Sequence, residues 1–400
     1  MFKKLPLYII LGLLLRLVLM PATAHPDLRG FNLAAYFIAQ KGEVFTFYDH
    51  MRKLPPTDRL VEIYIHDGQG IFIYPPLAYL THALFNLILY PLYPHDTWYK
   101  LMYYYDQFLV DPGRPWLVFL LKVPYLIADG FSLLILRKIL DPRHRFIGSL
   151  IWIFNPVTLY SAYMVGQFDI FIAMFTLLAV YLSQKKSYLS PVALALAAGF
   201  KPFTLLFLPL LPGKKWLNVL LGFLTFLFII APYLPSQSFR RDALLASQSD
   251  KILYAKVLVT GSQYLSWFFV GLFLIYWFNL LKPTFFSTFA WLAAAFMPFY
   301  VFSDYHPQWF TWMAPILTLC AAVYTKSRLP ILVMVACYFV IVLTFDSSLN
   351  FGLFGINFTF TAWLVRYFPP DEFASLVRSL FAATAVVFLL RIKKPATDGK

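Results

Sequence analysis

Charge is what this chain has least of. Only 13% of its 400 residues are Asp, Glu, Lys or Arg, against about 25% in a soluble domain. A water-soluble globule is excluded by that shortage alone. Acidic residues are the scarcer sign, 19 against 33 lysines and arginines. Cysteine is nearly absent. Cys320 and Cys337 both fall in apolar segments, so neither a disulfide framework nor a sulfur-rich metal site is available, and both read as small buried hydrophobes. There is no Walker-type phosphate loop, no zinc-binding helix and no nucleophile elbow. "GLFGIN" (352–357) lacks the strand and helix a dinucleotide site requires. Solenoid repeats and low-complexity segments are missing as well.

What is present is apolar. Hydrophobic residues make up 60% of the chain, and the mean hydropathy is +0.68. The apolar runs are continuous over about 17–22 residues, the length that crosses a hydrocarbon core as helix. A β-barrel would alternate instead. The expectation is an all-α polytopic membrane protein. Spanning segments are predicted at 5–20, 117–137, 146–164, 168–183, 215–233, 262–281, 285–302, 307–324, 329–345 and 374–391. The first resembles a signal peptide, but it is long and interrupted by Arg16, so an uncleaved helix is expected.

Orientation follows from the connectors. "MFKK", "RKILDPRHR", "SQKKS", "PGKK", "LKP", "TKSR" and "RIKKPATDGK" hold 17 of the 33 basic residues but only Asp141 and Asp398 among the acids. Short basic connectors face the cytoplasm, which places both termini inside. The same asymmetry accounts for the net charge of +14 without a nucleic-acid partner. Outside lie a large first loop, 21–115, and two smaller ones, 234–261 and 346–373. Within the first, "YPPLAYLTHALFNLILYPLYP" (74–94) cannot be a lone crossing without reversing the alternation: either it lies at the outer interface, or 98–110 returns the chain. Its tyrosines, prolines and His82 suit an interfacial or re-entrant helix.

The stretch 188–212 lies between two cytoplasmic connectors and carries "GFKPF" in its middle. Pro202 removes a backbone donor and disfavours helix at Lys201. Two halves of about 12 residues rise only about 18 Å each, so Lys201 is expected at a break inside membrane depth, facing protein or a cavity.

Three polar clusters then meet at the outer face: "AHPDLRGF" (24–31), "GQFD" (166–169) and "SDYHPQWF" (303–310). Asp169 alone would be explained as a helix cap; Gln167 beside it would not. A carboxylate at the interface can take a proton from a hydroxyl, and a lysine at phosphate depth can stabilise a lipid-phosphate leaving group. That chemistry fits a lipid-borne anionic substrate.

The order of these pieces resembles the GT-C superfamily of integral-membrane glycosyltransferases. The matching stretches are "LLLRLVLMPATAHPDLRGFNLAAYFIAQKG", "YPPLAYL", "KVPYLIADG", "FNPVTLYSAYMVGQFDIFIAMFTLLA", "LALAAGFKPFTLLFLPL" and "DYHPQWFTWMAPIL", which span most of 10–320. They look most like bacterial enzymes that use polyprenyl-phosphate mannose or glucose. The resemblance implies a bundle of about 11–13 membrane-crossing helices with interfacial helices in the first outer loop. It implies one domain over 1–400, with a catalytic module over 1–230 and variable helices over 231–400. It implies Asp27 as the base, flanked by His25 and Arg29. Asn155, Pro156, Gly166, Gln167 and Asp169 match the family's Asn-Pro and Gly-Gln-x-Asp segment, so Gln167 and Asp169 would bind or orient a sugar or the base. Lys201 would meet the donor phosphate. His306 and Gln308 would lie near the donor sugar, with Asp304 orienting His306. The implied partners are the bilayer, a polyprenyl-phosphate-linked donor and a lipid or glycan acceptor. The implied location is the plasma (inner) membrane, with the site on its extracytoplasmic face. Metal-dependent members use an Asp-x-Asp pair that this chain does not show, so no cofactor or required metal is expected. Arg240, Arg241, Lys251 and Lys256 are further candidates for the lipid phosphate, on a loop polar enough to move over the donor.

Asp129, mid-helix, must be paired or protonated, with Lys122 nearby, and is expected to be structural. Arg16 either snorkels or binds phosphate. Two other functions compete with transfer. A lipid-linked glycan flippase or transporter should show related halves with polar groups in both, and none are found. A non-catalytic assembly protein would tolerate loss of Asp27.

Overall fold

A computed structural model describes residues 4–65 and 70–393. Residues 1–3 and 394–400, which hold parts of the basic ends used to orient the chain, lie outside the described residues, as do 66–69. The fold is nearly all-α. In chain order the elements used below are α1 (Leu5–Ala22), α2 (Leu28–Lys41), α3 (Pro76–Leu89), α4 (Arg114–Ile139), α5 (Pro142–Ile153), α6 (Asp169–Gln184), α7 (Leu189–Ala198) and α8 (Lys215–Ile230). They are followed by a hairpin, β1 (Lys256–Thr260) and β2 (Gln263–Ser266), and then by α9 (Trp267–Leu281), α10 (Thr288–Phe302), α11 (Ala314–Val323), α12 (Arg328–Leu343) and α13 (Pro370–Arg391).

Five of the ten predicted spanning segments are helices long and apolar enough to cross a membrane: α1, α4, α8 with its following turn, α12 with its preceding turn, and α13. The other five are shorter or broken, and local chemistry explains four of them. Helix 146–164 breaks at Asn155-Pro156. Pro156 has no N–H to continue the ladder, while Asn155 Oδ1 accepts from Val157 N and Thr158 N at 3.0 and 3.2 Å and starts a new turn. The segment 307–324 opens as a tight 3₁₀ stretch, Pro307–Trp312, before α11. Residues 263–266 belong to the hairpin, so α9 begins only at Trp267. The segment 285–302 starts late, where Ser287 caps α10 through Ala290 N. α6 has 16 residues, about 24 Å of rise.

Two of the short helices are the most deeply buried. α11 is buried from Ala314 to Ala322 and α10 from Phe289 to Tyr300. The long helices form the outside and expose apolar side chains: Phe228 on α8 is 82% exposed and Leu390 on α13 is 74% exposed. A helix that is apolar on its outer face needs an apolar solvent, which is consistent with a helical membrane protein. The stretch 21–115 is no open loop. It folds into α2, α3 and shorter helices at Phe47–Lys53, Arg59–Tyr64, His95–Tyr103 and Tyr105–Leu109, with α3 packed along α2.

Candidate functional site

Two buried cations brace the segments that carry the predicted residues. Lys122, fully buried on α4, sends Nζ to Thr23 O at 2.7 Å, Tyr163 O at 2.7 Å and Met20 O at 3.0 Å, with Thr23 Oγ1 and Met164 O just beyond. These carbonyls end α1 and the wide turn Leu159–Val165, where the last turn of a helix leaves acceptors unpaired. One ammonium therefore ties together the two chain ends that lead to Asp27 and Gln167. Arg16 does the same lower down. Its Nε meets Asp129 Oδ2 at 2.6 Å, and Nη1 donates to Gly12 O and Ile153 O at 2.9 and 2.7 Å. Trp152 Nε1 and Tyr163 Oη complete the carboxylate at 2.7 Å each. Asp129 is structural, as expected, but its partner is Arg16 rather than Lys122. Arg16 is buried in this pair rather than snorkelling.

Asp27 stands at the mouth, on the turn that starts α2, with its side chain 36% exposed. Gln167 Nε2 donates to Asp27 Oδ2. Gln167 can reach because Gly166 takes a left-handed φ of +83°. A Cβ there would lie 2.9 Å from Leu28 Cδ2 and 3.1 Å from Lys122 Cε. His25 Nδ1 accepts from the Asp27 backbone N–H at 3.2 Å and lies 3.5 Å from Oδ1; its Nε2 faces Ser348 Oγ at 3.4 Å. Burial holds His25 below the usual imidazole range, although the Asp27 carboxylate pulls the other way. A neutral His25 with Nδ1 as acceptor donates nothing to Oδ1. With Gln167 fixing Oδ2, Oδ1 is the oxygen left to take a proton.

Arg29 lines the same cleft without serving Asp27. Its Nε donates to Tyr64 Oη at 2.9 Å and Nη2 to Met102 O at 3.1 Å, and the guanidinium lies over the Tyr64 and Tyr105 rings. Burial pushes the Tyr64 hydroxyl up to about 12, so it stays protonated and donates to Met102 O.

Lys201 sits at the expected break. α7 ends at Ala198, Lys201 is extended at φ −151°, and Pro202 opens a 3₁₀ stretch to Leu210. Its Nζ donates to Asp169 Oδ1 at 2.7 Å. The ammonium is boxed by Tyr74, Phe168, Trp309 and Trp312, with ring centroids 5.0–5.2 Å away. Trp312 Nε1 donates to the same Asp169 oxygen. Asp169 is therefore no plain cap: it makes no capping bond, and its carboxylate is spent on Lys201. Asp169 Oδ2, Gln167 Oε1 and Trp309 Nε1 are buried with no partner among the described residues. Such atoms suit hydroxyl groups of a ligand.

The late loop divides. His306 lies within electrostatic range of Lys251, Asp27 and Lys201 and beside the Gln308 side chain. Burial first, then Lys251, lowers its basicity. Gln308 is buried, and its backbone carbonyl accepts from Ser161 Oγ at 3.2 Å. Asp304 does not orient His306. It pairs with Arg378 at 3.3 Å in a separate cleft. Among the other basic candidates, Arg241 pairs with Asp242 at 2.8 Å, Arg240 donates to Leu234 O and Pro235 O, and Lys256 covers Tyr264. Lys251 is the one that reaches the site, 5.4 Å from the Trp309 ring centroid and half-buried, which lowers its basicity.

Two hollows flank these groups. A polar cleft of about 360 Å³ holds Asp27, Arg29 and Tyr64. An apolar cavity of about 340 Å³ holds Lys201, Trp309 and Trp312 amid Phe203, Leu206, Phe268 and Phe299. Ile73 and Tyr74 belong to both and form their common wall. Sequence reasoning missed Tyr74, Trp309 and Trp312. "PQWFTW" carried a signal, because a spacing of three in a 3₁₀ turn eclipses side chains, and the two indoles do stack at 5.3 Å. Among the described residues no three His, Cys, Asp or Glu side chains gather to hold a metal ion. Comparison with protein-family models, with curated proteins and with solved structures finds no match to this chain.

Proposed function

We propose that the protein is an inverting, membrane-embedded glycosyltransferase. It would move a hexose, mannose or glucose, from a polyprenyl-phosphate donor to a lipid or glycan acceptor on the extracytoplasmic face of the plasma membrane, with both termini cytoplasmic. The shorter apolar helices would complete the membrane bundle around the five long ones. One observation carries this reading: a polar cleft holding a partly exposed carboxylate shares a wall with an apolar cavity lined by Lys201 and two indoles.

The acceptor would enter the polar cleft, and the prenyl chain would lie in the apolar cavity. The acceptor oxygen attacks the anomeric carbon while its proton passes to Asp27 Oδ1. The bond from that carbon to the phosphate oxygen breaks, and the phosphate leaves with the electron pair. Lys251 is better placed than Lys201 to meet the leaving phosphate, because Lys201 already serves Asp169. The Lys201–Asp169–Trp312 unit would position the indoles and present Asp169 Oδ2, with Gln167 and Gln308, to sugar hydroxyls. Nucleic acid has no part in this chemistry, and no metal is assigned to it.

The test is transfer of radiolabelled mannose or glucose from polyprenyl phosphate to crude membrane acceptors, with and without chelator. Loss of a positioned base costs about 10²–10⁴-fold, so Asp27→Asn should fall by that factor while still binding donor. Equal transfer by parent and variant would remove Asp27 from catalysis. Lys201 at a broken helix is the feature a lipid-linked glycan flippase would share; that reading requires donor to cross the bilayer without being consumed.

A further inference from the structure

The hairpin β1–β2 was not foreseen, and its surface is unusual. All five β1 residues are exposed. Val257, Leu258 and Val259 are 47, 70 and 61% exposed, and Leu265 across the turn is 53% exposed. The register pairs Leu258 with Tyr264 and Val257 with Leu265. Cross-strand partners share a face and successive residues alternate, so both faces of the hairpin are apolar and neither is packed on protein. Water would not stabilise that arrangement.

What covers the hairpin is indicated by its surroundings. β2 runs straight into α9, whose outward side chains are also bare and apolar: Leu274, Trp277 and Leu281 are 63, 65 and 71% exposed. The hairpin thus continues a surface already suited to lipid. Its charge is one-sided. No Asp or Glu occurs from 251 to 303, while Lys251 precedes the hairpin and Lys256 opens β1, and Lys256 lies 4.9 Å over the Tyr264 ring. Basic and aromatic residues together mark the interfacial layer, and anionic headgroups attract such a patch. Two strands leave their outer edges unpaired, which forbids the hydrocarbon core but not the hydrated interface. The hairpin is also tied to the apolar cavity: Ile252 precedes it, Phe268 follows it, and both line that cavity. Ala255 N bonds Phe302 O at 3.3 Å and Trp267 N bonds Ala255 O at 3.0 Å, which anchors its base to the end of α10.

We propose that the hairpin 256–266 is a membrane-dipping flap, immersed on both faces in the interfacial layer of an anionic leaflet, where it holds the wall of the apolar cavity against lipid. The flap needs the helices to cross a bilayer but not the transferase reading, and its test involves no turnover.

The experiment places an environment-sensitive fluorophore on Leu258→Cys and, separately, on Leu265→Cys, one on each face. Cys320 and Cys337 are buried, so labelling is confined to the new thiol. The full-length protein is reconstituted into vesicles of mixed phosphatidylcholine and phosphatidylglycerol. References are Glu62→Cys, an exposed polar site, and Phe228→Cys on the apolar face of α8. Both hairpin labels should shift to the blue, be quenched several-fold more by a shallow spin-labelled lipid than the Glu62 label, and resist aqueous iodide. Iodide quenching equal to that at Glu62 would overturn the flap. So would lipid quenching at only one face, or quenching by neither agent, which would mean that protein covers the hairpin.

Discussion

Lys122→Met is the perturbation that best separates the brace from the chemistry. Methionine keeps the apolar stem and removes only the hydrogens that Nζ supplies to Thr23 O, Tyr163 O and Met20 O. A buried acceptor left without its donor costs about 1–3 kcal/mol. Three such losses would approach the whole stability of a typical domain, about 5–15 kcal/mol. Two terms reduce the sum. Thr23 Oγ1 still donates to Tyr163 O at 3.3 Å, and the variant no longer has to desolvate an ammonium. The expected net loss is therefore about 3–5 kcal/mol, comparable to removing one partner of a buried ion pair. It is read as a lowered denaturation midpoint in detergent, followed by tryptophan fluorescence. The second consequence is local. With the α1 end and the Leu159–Val165 turn untied, Gln167 no longer holds Asp27 in register. Misplacement of about 1 Å costs about 10²-fold in rate, so turnover should drop by about 10–100-fold at temperatures where the variant remains folded, with the donor KM nearly unchanged. A variant that unfolds with the parent and turns over at the parent's rate would refute the bracing argument.

Asp129→Leu strands the buried Arg16 and should cost about 3–5 kcal/mol, whereas adding Arg16→Met should recover most of it; denaturation of both single variants and the double tests this, and additive losses would contradict the pairing. Gly166→Ala forces a side chain onto φ +83° against Leu28 and Lys122 and should lose at least about 1 kcal/mol together with most transfer, with thermal melting and transfer measured on the same sample. Acid should destabilise the fold. His25 and His306 are both held below the ordinary imidazole value by burial. As pH falls below about 6.5, the unfolded chain therefore binds protons that the folded chain refuses. Their contribution is complete above that value and is lost through lower pH, and His25→Asn should flatten the slope of denaturation midpoint against pH; an unchanged slope would remove His25 from the account.

The long helices were legible in the sequence because their signal is additive: some twenty apolar residues in a row mean one thing wherever they occur. The breaks were legible only where proline announced them. Pro202 did so, and Lys201 was placed correctly on that ground. Asn155-Pro156 carried the same warning inside 146–164, and the apolar run on both sides outweighed it. The hairpin was hidden because "KVLVT" and "QYLS" are apolar whether they cross a bilayer or lie on it. Pairings were harder still. Arg16 and Asp129 are 113 positions apart, and composition offers no reason to choose Arg16 over Lys122 as the partner of Asp129.

Two lysines that look interchangeable in the sequence separate once their neighbours are known. A buried lysine in a membrane invites a function, and the resemblance of its Lys-Pro segment implied a phosphate for Lys201. Its ammonium instead completes a closed unit, with a carboxylate on one side and four rings around it. A cation so committed cannot turn to a new anion without stranding Asp169, a cost of several kcal/mol. Lys251 faces the same indole, Trp309, from the hairpin side and has no carboxylate within ion-pair distance among the described residues. Lys201→Met should therefore disturb the fold around Asp169 before it touches donor affinity. Lys251→Gln should weaken binding of an isoprenoid monophosphate while leaving the melting curve in place and the affinity for the uncharged isoprenol unchanged. The reverse pattern, with donor binding lost in Lys201→Met and kept in Lys251→Gln, would return the phosphate to the broken helix.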